Sequence, residues 1–365
     1  MATRAQRQRL DPAVFRLPVE RIREGYYSDA YFNFSRELLE DEDRHPHVVM
    51  QVFQKQESVL GGIDEAIAVL RQCSGRHTPG GGWEDGWGEL RVRALHEGDE
   101  IAPLETVMTI EGDYSLFAHL ETVYLGCLAR RTLVMRNVRE VVEAARGKQI
   151  LFFPARHDHW LVQTGDGWAA HVAGAIGVST DAQASWWGGR GIGTVPHALI
   201  AAYSGSTVEA SKAFAKRFAG EMNVTVLVDF ENDSVRTALE VADALGDDLW
   251  GVRLDTSERL VDRALWHEMG DFSPTGVNEV LVQRVREGLD AAGHEHVKIV
   301  VSGGFDAQRI RKFEAGDVPV DAYGVGSSLL TGQNDFTADV VMVDGRECSK
   351  VGRRLRPNPR LEVVE

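Results

Sequence analysis

Arginine, histidine and aspartate recur in this chain at the ends of short apolar runs. Arg156, His157, Asp158 and His159 follow the run at 150–153, Thr194 and His197 close and follow that at 191–195, Asp229 closes 224–229, and Arg253 and Asp255 sit at the end of 249–254. Guanidinium groups pair with phosphate oxygens and carboxylates accept hydroxyl hydrogen bonds, so such a set suits a substrate that carries both a phosphate and a sugar. Two more apolar runs end in small residues: 297–301 is followed by Ser302-Gly303-Gly304, and 320–323 by Gly324-Val325-Gly326-Ser327-Ser328. Loops of this composition leave backbone N–H groups, hydroxyls and a helix N-terminus open to an anion. In barrel enzymes a phosphate site is typically built by the last two strand-to-helix loops. The reading is an enzyme that grips a phosphorylated substrate.

His157 and His159 form an H-x-H pair that on a strand would point to one face. With His171, His197 and Asp255 it would compose a metallohydrolase site. Two phosphate loops need no such metal, and the simpler reading pairs these histidines with Asp158 or with phosphate, so no protein-bound metal centre is expected. Gly193-Thr194-Val195-Pro196 fixes the backbone before His197, which favours a functional role for that histidine. Phe153, close to Arg156, could stack on a flat heteroaromatic ring. Tyr31 is assigned by default to packing, while Trp186 and Trp187 either pack or line a pocket.

These residues need elements to hold them. From about 29 to 147 strand-like and helix-like segments mix without regular alternation: strands at 48–54, 89–95 and 105–110, helices at 58–73, 116–129 and 132–145, and a break at 78–82. After Gly147 the rhythm becomes strand, loop, helix, with strands at 150–153, 191–195, 224–229, 249–254, 297–301 and 320–323, and helices at 206–218, 233–245 and 276–292. That is the pattern of a parallel α/β layer or barrel, here incomplete. A last antiparallel pair turns at Asp344-Gly345. The expected fold is α/β: an incomplete parallel (β/α) barrel over 148–332, and an α+β domain over 1–147 onto which 333–365 packs back.

The chain has 365 residues, 43% of them hydrophobic, and a formal net charge of −15. It is long enough for two domains with substantial cores. The acidic balance argues against a nucleic-acid surface and makes phosphate binding local. No eighteen-residue apolar run suggests a membrane span, and the N-terminus lacks the apolar core of a signal peptide, so a cytoplasmic location is expected. The three cysteines, Cys73, Cys127 and Cys348, lie far apart without C-x-x-C spacing and suggest neither disulfides nor a zinc ribbon. The arginine-rich tail (Arg353, Arg354, Arg356, Arg360) reads as solvated surface.

Four ordered segments carry a resemblance: Gly193-Thr194-Val195-Pro196-His197-Ala198-Leu199, Val252-Arg253-Leu254-Asp255-Thr256, Val301-Ser302-Gly303-Gly304-Phe305-Asp306 and Tyr323-Gly324-Val325-Gly326-Ser327-Ser328. With Ser28-Asp29-Ala30-Tyr31-Phe32 and Glu121-Thr122-x-x-Leu125-Gly126, they resemble the nicotinate phosphoribosyltransferase family over about residues 20–350. The resemblance implies a two-domain type II phosphoribosyltransferase whose site is completed by a second subunit, a homodimer or higher homo-oligomer. It implies transfer of the phosphoribosyl group of phosphoribosyl pyrophosphate to nicotinate, giving nicotinate mononucleotide and pyrophosphate, with Mg²⁺ and with ATP as co-substrate, in NAD salvage. His197 matches the histidine that ATP phosphorylates; Ser302, Gly303, Gly304, Gly324, Gly326 and Ser327 match the 5′-phosphate loops. Arg156 matches a phosphate or pyrophosphate ligand, Arg253 and Asp255 the residues beside base and ribose, and Phe153 and, across the dimer, Tyr31 the rings that sandwich nicotinate. Asp229 and Asp255 would stand near an oxocarbenium-like ribose. The chain departs from the family in placing His157 where a second arginine is common, in the Pro154-Ala155 step, and in lacking a cysteine-rich zinc module. A quinolinate-type phosphoribosyltransferase, which decarboxylates its base without ATP, shares the fold and the 5′-phosphate site. A barrel hydrolase and a non-catalytic phosphoribosyl-binding sensor are the remaining alternatives.

Overall fold

The computed structural model describes residues 8–268 and 270–365. The first seven residues, part of the segment read above as lacking a signal-peptide core, lie outside them. The chain forms two compact units, one from residues 1–136 with 332–365 and the other from residues 137–331. Mixed α/β architecture is present, with an antiparallel sheet in the first unit and a curled parallel half-barrel in the second.

In the first unit a six-stranded sheet runs in the order Arg346–Glu347, Thr337–Val343, His47–Phe53, Thr106–Asp113, Arg91–Ala94, Glu362–Val363. The last antiparallel pair therefore joins this sheet, Thr337–Val343 pairing with His47–Phe53. The helix Ile63–Cys73 buries Ile63, Ile67 and Leu70 in the core that also holds Phe117 and Tyr124. Each large aliphatic side chain so buried contributes about 1.5–3 kcal/mol. This helix starts later than the spacing predicts because Ser58–Val59 is a short strand and Gly62, at φ 79°, caps the helix.

Where two helices were expected around 116–145, one helix spans Glu121–Ala144 and crosses the boundary between the units. Thr132, which reads as a helix start, instead lies buried mid-helix, its Oγ1 accepting from Gly61 N (3.0 Å) and facing Gly61 O (3.1 Å). With no glycine or proline between 127 and 144, nothing in the local sequence forces a break.

The second unit carries the parallel sheet, in the order Val224–Leu227, Leu249–Leu254, Lys298–Val301, Ala322–Val325, Gln149–Phe152, Gly177–Val178. Its strands read as continuous apolar runs because both faces are covered: Val224–Leu227 and Ala322–Val325 are buried at every position. The sixth strand is Gly177–Val178, and the expected strand at 191–195 is irregular. Gly191, Gly193 and Pro196 interrupt it, leaving a single parallel bridge from Val195 to Val226. Ile192 N donates to Val178 O at 2.7 Å and Val195 N to Thr225 O at 2.9 Å, so this segment spans the gap between the two edge strands.

Candidate active site

A cavity of about 890 Å³ opens at the C-terminal ends of the parallel strands. It falls within the usual range for small-molecule sites. Phe153, Arg156, His157, Thr194, His197, Arg253, Asp255, Ser302, Gly303, Gly304, Gly324, Gly326 and Ser327 all line it. The fold thus brings together most of the residues singled out from the sequence.

Adjacent strands Lys298–Val301 and Ala322–Val325 deliver the two glycine loops side by side. Gly303 (φ 84°) and Gly304 (φ 73°) take left-handed conformations in succession, which glycine adopts without a Cβ penalty. Among the described residues, no protein backbone acceptor takes the N–H groups of Gly303, Gly304 or Phe305. An unpaired donor in a concave site calls for an outside partner. Ser328 Oγ donates to Phe305 O at 2.8 Å and ties the second loop to the first.

Beside the loops, three side chains form one network. Ser302 Oγ accepts from Arg253 Nε (2.8 Å) and donates to Asp255 Oδ1 (2.7 Å). Ser302 is buried, 2% exposed, and its hydroxyl joins two cavity-lining side chains. Arg253 also approaches Thr194 Oγ1 (3.4 Å) and Asp255 Oδ2 (3.5 Å), and its guanidinium carbon lies 5.0 Å from the centre of the Phe153 ring. Burial lowers the Arg253 pKa, with Asp255 and Asp229 opposing that shift and Arg156 adding to it. Phe153 is held by its N–H bond to Val325 O (2.8 Å) and packs where a side chain on Gly324 would stand.

His197 starts the helix His197–Ala202 after Pro196. Its Nε2 lies 2.8 Å from Asp229 Oδ1, and because a carboxylate only accepts, Nε2 carries a proton and Nδ1 keeps the lone pair in the neutral ring. That hydrogen bond raises the His197 pKa, against the lowering effect of burial. Asp229 does not line the cavity: its carboxylate is nearly enclosed, 7% exposed, and its partner is the imidazole. Where the sequence suggests a carboxylate facing a ribose, the structure puts one facing a histidine.

Tyr31 does not line the cavity either. It lies on the first unit's helix Ala30–Asp41, 59% exposed. His159 caps a short turn through Nδ1, and His171 stacks on Trp187 with ring centres 4.3 Å apart, while Trp186 is buried. His157, His197 and Asp255 line the cavity while His159 and His171 are engaged outside it, and among the described residues no three His, Cys, Asp or Glu side chains group as metal ligands. Sequence reasoning missed Arg309, whose guanidinium braces the first glycine loop from behind. Its only signal was its place one turn into the helix that Asp306 caps.

Comparison with known proteins bears on the family and the fold. Residues 29–132 match the family described as quinolinate phosphoribosyl transferase, N-terminal domain. A solved structure titled nicotinate-nucleotide pyrophosphorylase, from Pyrococcus furiosus, superposes with a TM-score of 0.77 at 30% identity, covering 96% of this chain and 86% of that one. Human nicotinic acid phosphoribosyltransferase shares the fold, with a TM-score of 0.71 at 18% identity over 90% of this chain and 77% of that one. Nicotinate phosphoribosyltransferase pncB1 of Mycobacterium tuberculosis (strain ATCC 25618 / H37Rv) is 30% identical over 250 residues, 67% of this chain and 51% of that protein. The chain spans about half the length of the curated relatives it matches. A parallel half-barrel with paired glycine loops, in a chain with an antiparallel α+β unit, is the build of a type II phosphoribosyltransferase. The chain belongs to the nicotinate phosphoribosyltransferase family within that class.

Proposed function

We propose that this protein joins nicotinate to the phosphoribosyl group of phosphoribosyl pyrophosphate. The observation that carries the reading is the pair of glycine loops at neighbouring strand ends, with unspent N–H groups, directly beside the Arg253–Ser302–Asp255 network. In this reading the loops hold the 5′-phosphate. The bond from the anomeric carbon to pyrophosphate breaks, that from the pyridine nitrogen to the same carbon forms, and Asp255 stabilises the positive charge that develops between. Arg156 meets the departing pyrophosphate. Phe153 and Arg253 set one face and one edge of the base pocket, and Tyr31 supplies the opposite face from a second copy of the chain, making the working form a homo-oligomer.

Mg²⁺ suits this site as a partner of the substrate. It takes oxygen ligands and is commonly held by one or two carboxylates together with substrate phosphates, and the cavity offers Asp255 with no closed ligand cluster among the described residues. Asp255 would hold it, and the ion would neutralise charge on the pyrophosphate. ATP is the proposed co-substrate, with His197 Nδ1 as phosphoryl acceptor and Asp229 holding the opposite nitrogen in its N–H form.

The match of residues 29–132 to a quinolinate phosphoribosyltransferase domain favours a second reading, a decarboxylating enzyme that needs no ATP. A dicarboxylate base calls for more cations than Arg156, Arg253 and the neighbouring histidines provide. Purified protein given phosphoribosyl pyrophosphate, Mg²⁺ and ATP should form nicotinate mononucleotide from nicotinate; carbon dioxide release from quinolinate with no turnover of nicotinate would reverse the choice. His197→Ala should abolish ATP stimulation and keep a basal transfer, and persistence of full stimulation would remove the phosphohistidine from the scheme.

A further inference from the structure

Behind the first glycine loop lies a side chain with no place in the scheme above. Arg309, on the helix Ala307–Ala315, donates through Nη1 to the carbonyls of Gly303 (2.8 Å) and Gly304 (3.3 Å) and through Nη2 to that of Val277. Its guanidinium carbon lies 4.3 Å from the centre of the Phe305 ring, and Phe305 is itself fixed against Phe313 and Tyr323. The Arg309 backbone is tied as well, its N–H donating to Asp306 Oδ1 at 2.8 Å.

A trans peptide is planar, so the C=O of one residue and the N–H of the next point in opposite directions. Holding the carbonyls of Gly303 and Gly304 toward Arg309 therefore turns the N–H groups of Gly304 and Phe305 the other way, and both residues line the cavity. Two left-handed glycines in succession are the least restrained backbone available. Unbraced, this stretch would sample conformations in which those donors diverge. A cation at the carbonyl end also polarises each peptide, making the opposite N–H a stronger donor. The planar fork reaches several carbonyls at once, which a lysine ammonium on its flexible stem does not reproduce.

We propose that Arg309 is a positioning residue for the substrate phosphate: it never touches the anion, but sets and polarises the Gly303–Gly304 peptides that do. This rests on the reading of the loops as a phosphate site. The test titrates inorganic phosphate and ribose 5-phosphate into the ¹⁵N-labelled full chain and into Arg309→Met and Arg309→Lys variants, following the Gly304 and Phe305 amides, with steady-state kinetics alongside. In the unsubstituted protein both amides should shift on titration. Arg309→Met should weaken binding and raise the KM for phosphoribosyl pyrophosphate about ten-fold or more, with a smaller change in kcat and none in the KM for nicotinate. Arg309→Lys should fall between, and should do so with an unchanged melting temperature, which separates positioning from folding. Amides that shift in the unsubstituted protein and respond equally in both variants, with equal affinity, would overturn the role of Arg309 alone. Amides silent in the unsubstituted protein would overturn the phosphate reading itself, and this proposal with it.

Discussion

Ser302 ties two side chains of the cavity together. Its hydroxyl accepts from Arg253 and donates to Asp255, and in the proposed reaction this fixes the cation beside the base relative to the carboxylate beside the ribose. Ser302→Ala should therefore lower kcat, by up to about 100-fold if the pair drifts by an ångström, with little change in the KM for phosphoribosyl pyrophosphate. A rise in KM alone would make the hydroxyl a phosphate ligand after all. The His197–Asp229 pair gives a pH signature. Because the folded pKa of His197 is raised, the pair's contribution to stability is complete below the unfolded histidine pKa and is lost as pH rises through the folded one. Only the neutral ring can accept a phosphoryl group, so ATP-dependent turnover should climb across that same raised pKa. Asp229→Asn should shift the climb to lower pH and lower the His197 pKa seen by NMR titration. Residue types and strand-end positions made most of this cavity legible in the sequence. The directions of Ser302 and Asp229 were not, because a side chain's partner is settled by neighbours tens of residues away.

Among the elements, the parallel strands and glycine loops were legible for a physical reason. Strands covered on both faces must be apolar throughout, and the turns that follow them must be small. The segment 191–195 misled because Ile192 and Val195 do bond to edge strands, yet two glycines and Pro196 keep the chain from pairing regularly. The helix Glu121–Ala144 misled because Thr132, polar enough to start a helix, is buried against Gly61. Close approach between elements also sets what the loops tolerate. A Cβ at Gly324 would stand 2.7 Å from Phe153 Cε2 and 3.3 Å from Ser302 Cβ. Gly324→Ala should thus displace the Phe153 ring, cost about 1–3 kcal/mol in urea melts, and raise the KM for nicotinate more than that for phosphoribosyl pyrophosphate.

At the scale of the molecule, one buried group adds to the acid sensitivity of the first unit. His119 is fully enclosed, and burial pushes its pKa down to about 3, with Arg36 adding to the shift. A depressed pKa means that its contribution is present above the unfolded value near 6.5 and is lost as pH falls toward 3. His119→Phe should flatten the fall in melting temperature between pH 7 and pH 4; an equally steep fall would place the acid sensitivity elsewhere. The antiparallel sheet has a further consequence, for the order of events during synthesis. Its strand His47–Phe53 needs Thr337–Val343 as a neighbour, and its far edge is Glu362–Val363. Every parallel strand of the second unit lies between residues 149 and 325. On the ribosome, the half-barrel can therefore zip up while the earlier-made strand still waits for its partner. The unit translated first is the one completed last, and until residue 343 emerges an open sheet edge is left for chaperones to cover.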